Sequence, residues 1–203
     1  MIWKRFFASQ PRNAYAWPLY EAIVAQARQP GLYRDLGVPD SLDGRFEAVV
    51  LHLVLVLRRL KRDFPEGVDL AETLQEAFFD DMDRSLREMG AGDLGVGKRV
   101  KRMAEGFMGR LGSYEAALDS LPVDGEAGLR EALRRNVFGT LPEGAGDLAG
   151  LATYTLTQVS VLDAQDGVAL RQGRIAFADV LESAEKRGES AAAGGLATAP
   201  QGD

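Results

Sequence analysis

Residues 44–60, GRFEAVVLHLVLVLRRL, are the most apolar stretch of the chain, and between Phe46 and Leu57 only Glu47 and His52 are not hydrophobic. A helix that is apolar nearly all the way round must be buried on most of its sides. The apolar run is too short to span a membrane, which takes about 20 residues, and Arg45, Arg58, Arg59 and Lys61 flank it. The alternation of Leu and Val also fits a buried strand, which periodicity alone does not exclude. Length favours a helix, as do the capping side chains of Pro39-Asp40-Ser41-Leu42-Asp43-Gly44 just before it. The stretch is therefore expected to be the central helix of an all-α domain.

Helical spacing of apolar residues recurs on both sides of this segment. Trp17, Tyr20, Val24 and Ala27 mark a helix over about 17–28 that Pro30-Gly31 ends. Leu70, Leu74, Phe78, Met82, Leu86 and Met89 mark one over about 68–89, with Gly90 placed as its C-terminal cap. Asp80–Arg84, Asp83–Arg87 and Arg84–Glu88 fall at i,i+4 on its outer face. A helix capped by Asp93 runs from about 94 to 118, with Val100, Met103, Phe107, Leu111, Tyr114 and Leu118 inward. Gly106, Gly109 and Gly112 interrupt it, which suggests either close approach by another helix or ligand chain, or merely weak packing. Leu129, Leu133 and Val137 mark a helix over about 126–138, and Leu148, Leu151, Thr155, Val159 and Leu162 one over about 147–162. Residues 168–180 read as irregular or briefly helical. The expected architecture is a single all-α domain of about six to seven helices over residues 12–182. An aromatic and basic segment, 1–11, precedes it and a disordered Ala/Gly-rich tail, 183–203, follows.

Composition narrows the function classes. The 203 residues carry no cysteine, which excludes disulfides, thiolate metal sites and cysteine nucleophiles. A net charge of −6 argues against nucleic acid as a partner, because phosphate binding needs a basic surface. The charge is uneven: residues 63–83 hold eight acids and no base, and Lys98, Arg99, Lys101 and Arg102 form a compact basic run. No signal sequence or membrane span is evident, and a cytoplasmic location is expected. Trp3, Lys4, Arg5, Phe6 and Phe7 are membrane-proximal candidates, since aromatics enter the headgroup layer while cations meet anionic lipid. Sedimentation with anionic liposomes, with and without residues 1–10, tests that expectation, and equal sedimentation sinks it.

Candidate chemistry is sparse. His52 is the only histidine and, without a partnered acid or cysteine, makes neither a zinc site nor a triad. It reads as a core residue bonded to a carbonyl or side chain. Asp80, Asp81 and Asp83, with Glu76 one turn earlier, are the oxygen ligands an Mg²⁺–diphosphate site uses. They support an alternative, a small helical Mg-dependent prenyl- or lipid-diphosphate-binding enzyme. Such sites draw on a second acidic helix, and none is present. Gly92, Gly97 and Lys98 meet the phosphate-loop spacing in part, but Arg99 stands where Ser or Thr is required. No catalytic set, metal site or cofactor site is expected.

The segments VPDSLDGRFE, LHLVLVLRRL and DMDRSLREMGAGDLGVGKRVKRMAEGFMGR together resemble the ubiquinol-cytochrome c chaperone family, which includes a mitochondrial assembly factor and alphaproteobacterial relatives. The resemblance is strong from about Trp17 to Asp119 and looser up to about Phe177. It implies an assembly chaperone, not an enzyme, that binds newly made cytochrome b and supports biogenesis of the bc1 complex. By family analogy a ribosome or a small partner protein is a further possible contact, and the location extends to the cytoplasmic face of the inner membrane. Carried over by motif position, Arg45, Asp80, Asp83, Arg84, Arg87, Lys98 and Lys101 are the implied polar binding surface, with Gly106 and Gly109 alongside.

Overall fold

The computed structural model describes residues 14–63, 65–88 and 93–180, with only the backbone for 93–96. Among these residues the chain is all helical: α1 (Ala16–Ala27), α2 (Pro30–Arg34), α3 (Leu42–Lys61), α4 (Val68–Glu88), α5 (Asp93–Asp119), α6 (Leu121–Asp124), α7 (Ala127–Asn136), α8 (Leu148–Ala164) and α9 (Gly167–Arg171). The three short helices α2, α6 and α9 raise the count above the expected six to seven. Pro30 does not merely end α1 but opens α2, where its fixed φ suits the first turn. Met89, Gly90 and the 183–203 tail lie outside the described residues, as does the Asp93 side chain.

The central helix is α3. Its N-terminus is capped by Ser41, whose hydroxyl accepts from the Gly44 amide at 3.1 Å. Helices α1, α4, α5 and α8 all pack on it. Around it α1 meets α4, α4 meets α5, α5 meets α7 and α7 meets α8. A hydrogen bond from Gln26 Nε2 to the Tyr154 hydroxyl, 2.9 Å, closes the ring between α1 and α8. This enclosure is the physical reason that the α3 sequence is apolar on every side. Leu51, Leu53, Val54, Leu57 and Leu60 are all buried.

The three polar side chains buried on α3 all find partners, Glu47 on α5 and both His52 and Arg59 on α8, as burial requires. Glu47 pairs with Arg110 of α5. Arg59 donates to the Leu162 and Gln165 carbonyls at the end of α8, both at 3.0 Å, and to Asp63 at 2.7 Å. His52 Nδ1 lies 2.7 Å from the Ala48 carbonyl and Nε2 lies 2.7 Å from the Tyr154 hydroxyl. A carbonyl can only accept, so Nδ1 carries the proton, and the tyrosine hydroxyl donates to Nε2. The core-histidine reading of the sequence therefore holds.

Burial pushes the His52 ring down to about 4 from its ordinary 6.5, with the Ala48 carbonyl pulling weakly the other way. Above pH 6.5 the ring is neutral in both states and adds nothing to the pH dependence. Below that, only the unfolded chain takes up the proton, so stability falls until about pH 4 and is then level, a loss of about 3 kcal/mol. A His52→Gln variant keeps a donor and an acceptor but does not titrate. Urea midpoints at about pH 7 and about pH 4.5 should show wild type losing about 2–3 kcal/mol more than the variant. Equal losses would remove His52 from the acid response.

Helix α1 departs from expectation in its rotation. Leu19 and Ile23 are fully buried with Ala16, Tyr20 and Ala27, whereas Trp17 and Val24 are only half-buried. The helix touches both α3 and α4, which turns the two larger aliphatic residues into the seam.

Candidate functional site

Helices α4 and α5 run antiparallel, a conclusion that follows from which residues meet. Phe79 packs on Phe107 with ring centroids 5.7 Å apart, while Leu86, further along α4, clusters with Val100, earlier in α5. The acidic helix thus ends beside the basic start of α5. Asp83 accepts from Arg87 Nε at 2.6 Å across one turn. Arg84 does not pair along its helix but lies with its guanidinium 5.6 Å from the centroid of the Trp17 ring. Asp80 is half-buried, and its carboxyl is pushed up by burial first and then by Glu76 and Asp83, with Arg84 opposing. Asp81 is engaged from α1, accepting the Tyr20 hydroxyl at 2.8 Å. Burial and then Asp81 raise the Tyr20 pKa, which keeps the phenol protonated as the donor.

On α5, Lys98 is exposed and Lys101 reaches Glu105 only loosely, at 3.7 Å. The three glycines do not mark a helix crossing within this chain. At Gly109 and Gly112 a Cβ would meet nothing within 4 Å, and the space beside Gly106 is taken by the Arg110 guanidinium. Met108, on the same outer face, is 57% exposed. The exposed side of α5 is thus a low, largely uncovered surface of small residues and one flexible thioether, with charged side chains at its N-terminal end.

Arg45 stands apart from this network. It pairs with Asp40 at 2.7 Å and lines a shallow concavity with Arg28, Pro30, Tyr33 and Arg34. Trp3, Lys4, Arg5, Phe6 and Phe7 lie outside the described residues. The carboxylates of α4 do not assemble into a metal site: among the described residues no three acidic or histidine side chains converge on one point. Asp81 and Asp83 are engaged by Tyr20 and Arg87.

Sequence reasoning missed the pair beneath this surface. Arg110 Nε donates to Glu47 Oε2 at 2.6 Å and Nη2 to Oε1, a fork-to-fork pair, while Nη1 donates to the Gly106 carbonyl at 3.0 Å. The same guanidinium lies 5.6 Å from the Phe46 centroid. Glu47 is 5% exposed. Burial pushes its carboxyl up and Arg110 pulls the other way, while the hydrogen bonds to Glu47 raise Arg110 in turn. The available signal was Glu47 itself, a lone acid inside an apolar helix, which demands a cation from a neighbour. Among the described residues no helix is long and apolar enough to cross a membrane.

Residues 34–177 match the family model described as ubiquinol-cytochrome C chaperone. The crystal structure of the Cbp3 homolog from Brucella abortus is 41% identical, with a TM-score of 0.74 over 83% of this chain and 91% of that one. The ubiquinol-cytochrome-c reductase complex assembly factor 1 of Xenopus laevis is 22% identical over 149 residues, 73% of this chain and 72% of the frog protein. The Mus musculus factor of the same description is 24% identical over 149 residues, and the match spans 49% of its length, about half. Since the matched region takes in α3, α4, α5 and the helices packed around them, the chain belongs to the ubiquinol-cytochrome c chaperone family.

Proposed function

We propose that this protein is an assembly chaperone for the ubiquinol–cytochrome c reductase (bc1) complex and that it holds newly made cytochrome b. The family match carries the reading: two relatives bear the description of assembly factors for that complex, and the solved relative shares the fold at 41% identity. The outer face of α5 and its border with α4 support a location for the binding surface. Met108, Gly109 and Gly112 offer an apolar helix a path for close approach, because small residues let backbones come near. The Asp83–Arg87 pair, Asp80, Arg84, Lys98 and Lys101 would then meet the polar flank of the bound segment. Binding rather than catalysis is the function this surface fits, and contacts with the ribosome, a small partner or the cytoplasmic face of a membrane belong to the same proposal.

The test is a double reversal, Arg84→Glu/Arg87→Glu. Arg84 gives up an exposed stacking contact of about 0.5–1 kcal/mol, and Arg87 an exposed pair of about 0–1 kcal/mol. The fold should stand, with a thermal midpoint only a few degrees lower. Recovery of cytochrome b with the affinity-purified protein should drop severalfold, and the level of assembled bc1 complex with it. A folded double variant that recovers cytochrome b at the wild-type level places the surface elsewhere.

A further inference from the structure

Residues 174–179 leave α9 through Gly173, whose φ of 76° is a conformation that favours glycine, and run along α8 toward α1 without regular secondary structure, before helical backbone resumes at Val180. Their attachment is unusual in kind. The Gln158 side chain of α8 accepts from the Ala178 amide at 2.9 Å and donates to the carbonyl of the same residue at 2.8 Å. Gln165, two turns further on, does the same for Ala176, both bonds at 2.8 Å. Gln26 of α1 adds a second donor to the Ala178 carbonyl, 2.9 Å. Two side-chain amides thus replace the edge strand that an extended segment would otherwise pair with, and they read main chain at alternate residues.

Side-chain anchoring is limited to the inner face. The Phe177 ring stands edge-on to His52, centroids 5.8 Å apart. Val180 fills the space over Gly31, where a Cβ would come within 2.9 Å of its Cγ1, so glycine is what makes room for it. Arg174, Ala176 and Asp179 face outward and are exposed. A segment whose main chain is read by side-chain amides, with Ile175, Phe177 and Val180 packed inward, is replaceable by another segment that offers aromatic or aliphatic side chains at the same inner positions. Because the strap is tethered, its effective concentration is on the order of millimolar, so it excludes weak competitors while it stays seated.

We propose that the groove between α1, α3 and α8 is a binding site for extended polypeptide, occupied in cis by residues 174–180, and that it exchanges this strap for an extended, largely apolar segment of an incompletely folded chain. This site is separate from the α4–α5 surface and does not depend on what binds there.

The absence of native cysteines allows a direct test. A Cβ at Gly31 would lie 3.0 Å from that of Val180, so Gly31→Cys/Val180→Cys reaches disulfide geometry after a shift of about 0.5–1 Å. A second full-length variant, Phe177→Ala/Val180→Ala, trims two of the strap's three larger apolar anchors, Ile175 being the third, and leaves Gln158 and Gln165 in place. The probe is a fluorescent peptide with the sequence of residues 173–180, GRIAFADV, titrated by anisotropy. The opened variant should bind it about tenfold more tightly than wild type, as loss of the intramolecular competitor requires. The oxidised cysteine variant should not bind, and reduction should restore binding. Adding Gln158→Leu/Gln165→Leu to the opened variant should abolish its gain. A folded opened variant that binds no better than wild type overturns the proposal, as does equal binding by the oxidised and reduced forms. Should the opened variant not fold, hydrogen exchange on the unaltered chain decides. Exchange of the Ala176 and Ala178 amides about a hundredfold faster than the α3 amides supports a strap that leaves by itself. Exchange together with α3 overturns it.

Discussion

Leu53→Asp is expected to leave the chain unfolded at neutral pH. Leu53 is 0% exposed on a helix enclosed by α1, α4, α5 and α8. The change removes a leucine from the core, worth about 2–5 kcal/mol with the cavity it leaves. It also places a carboxylate in the apolar core, a further cost of several kcal/mol. Together these meet or exceed the whole stability of a domain of this size, about 5–15 kcal/mol. Far-UV circular dichroism should show loss of the helical spectrum and of any cooperative thermal transition. Leu53→Met, which conserves volume, is the control and should cost about 1 kcal/mol. A Leu53→Asp protein with a wild-type midpoint would mean that α3 is not the core.

Arg110→Met should destabilise the domain by about 3–5 kcal/mol, because it strands the Glu47 carboxylate without a partner. The side chain of Glu47 is buried and that of Arg110 only partly exposed, so solvent does little to replace the lost guanidinium. With burial and the nearby Asp43 then unopposed, the Glu47 carboxyl rises further. A carboxyl whose folded pKa lies above its unfolded value takes up a proton in the folded state first, so stability is regained as pH falls through the folded value. The deficit in the urea midpoint should therefore be largest at neutral pH and shrink toward about pH 5. Glu47→Met in the same chain should recover most of the loss, since an apolar replacement of both partners is often nearly neutral. A single variant as stable as wild type, or a double variant no better than the single, would refute this account of the pair.

The two α3 residues that broke the apolar run, Glu47 and His52, were visible from the sequence, and the need for partners followed from burial alone. Who those partners are was not. Arg110 lies 63 residues away and Tyr154 lies 102 residues away along the chain. Nothing in local periodicity ranks Arg110 above the other arginines, and Tyr154 falls among the apolar residues of α8. The same limit applies to the surface. Spacing offered Asp80–Arg84, Asp83–Arg87 and Arg84–Glu88 as equal helix pairs, yet the structure forms the second and sends Arg84 to Trp17. Spacing also left the glycines of α5 open between close packing and none. The answer within this chain is that Gly109 and Gly112 face outward with no neighbour.

By itself the sequence determined the helical class, the central position of α3, the inner faces of α4, α5 and α7, and the structural role of His52. These follow from periodicity and from the cost of burying polar groups, which are local properties of the chain. It also carried the long motifs by which the family is recognised. Only the tertiary structure decided the rotation of α1, the Glu47–Arg110 pair, the separation of Arg45 from the α4–α5 charges, and the strap read by Gln158 and Gln165. Each depends on which elements meet far apart along the chain, or on a segment with no periodicity to read. A hydrogen bond from a side-chain amide to a distant main chain leaves no mark in the sequence beyond an ordinary glutamine.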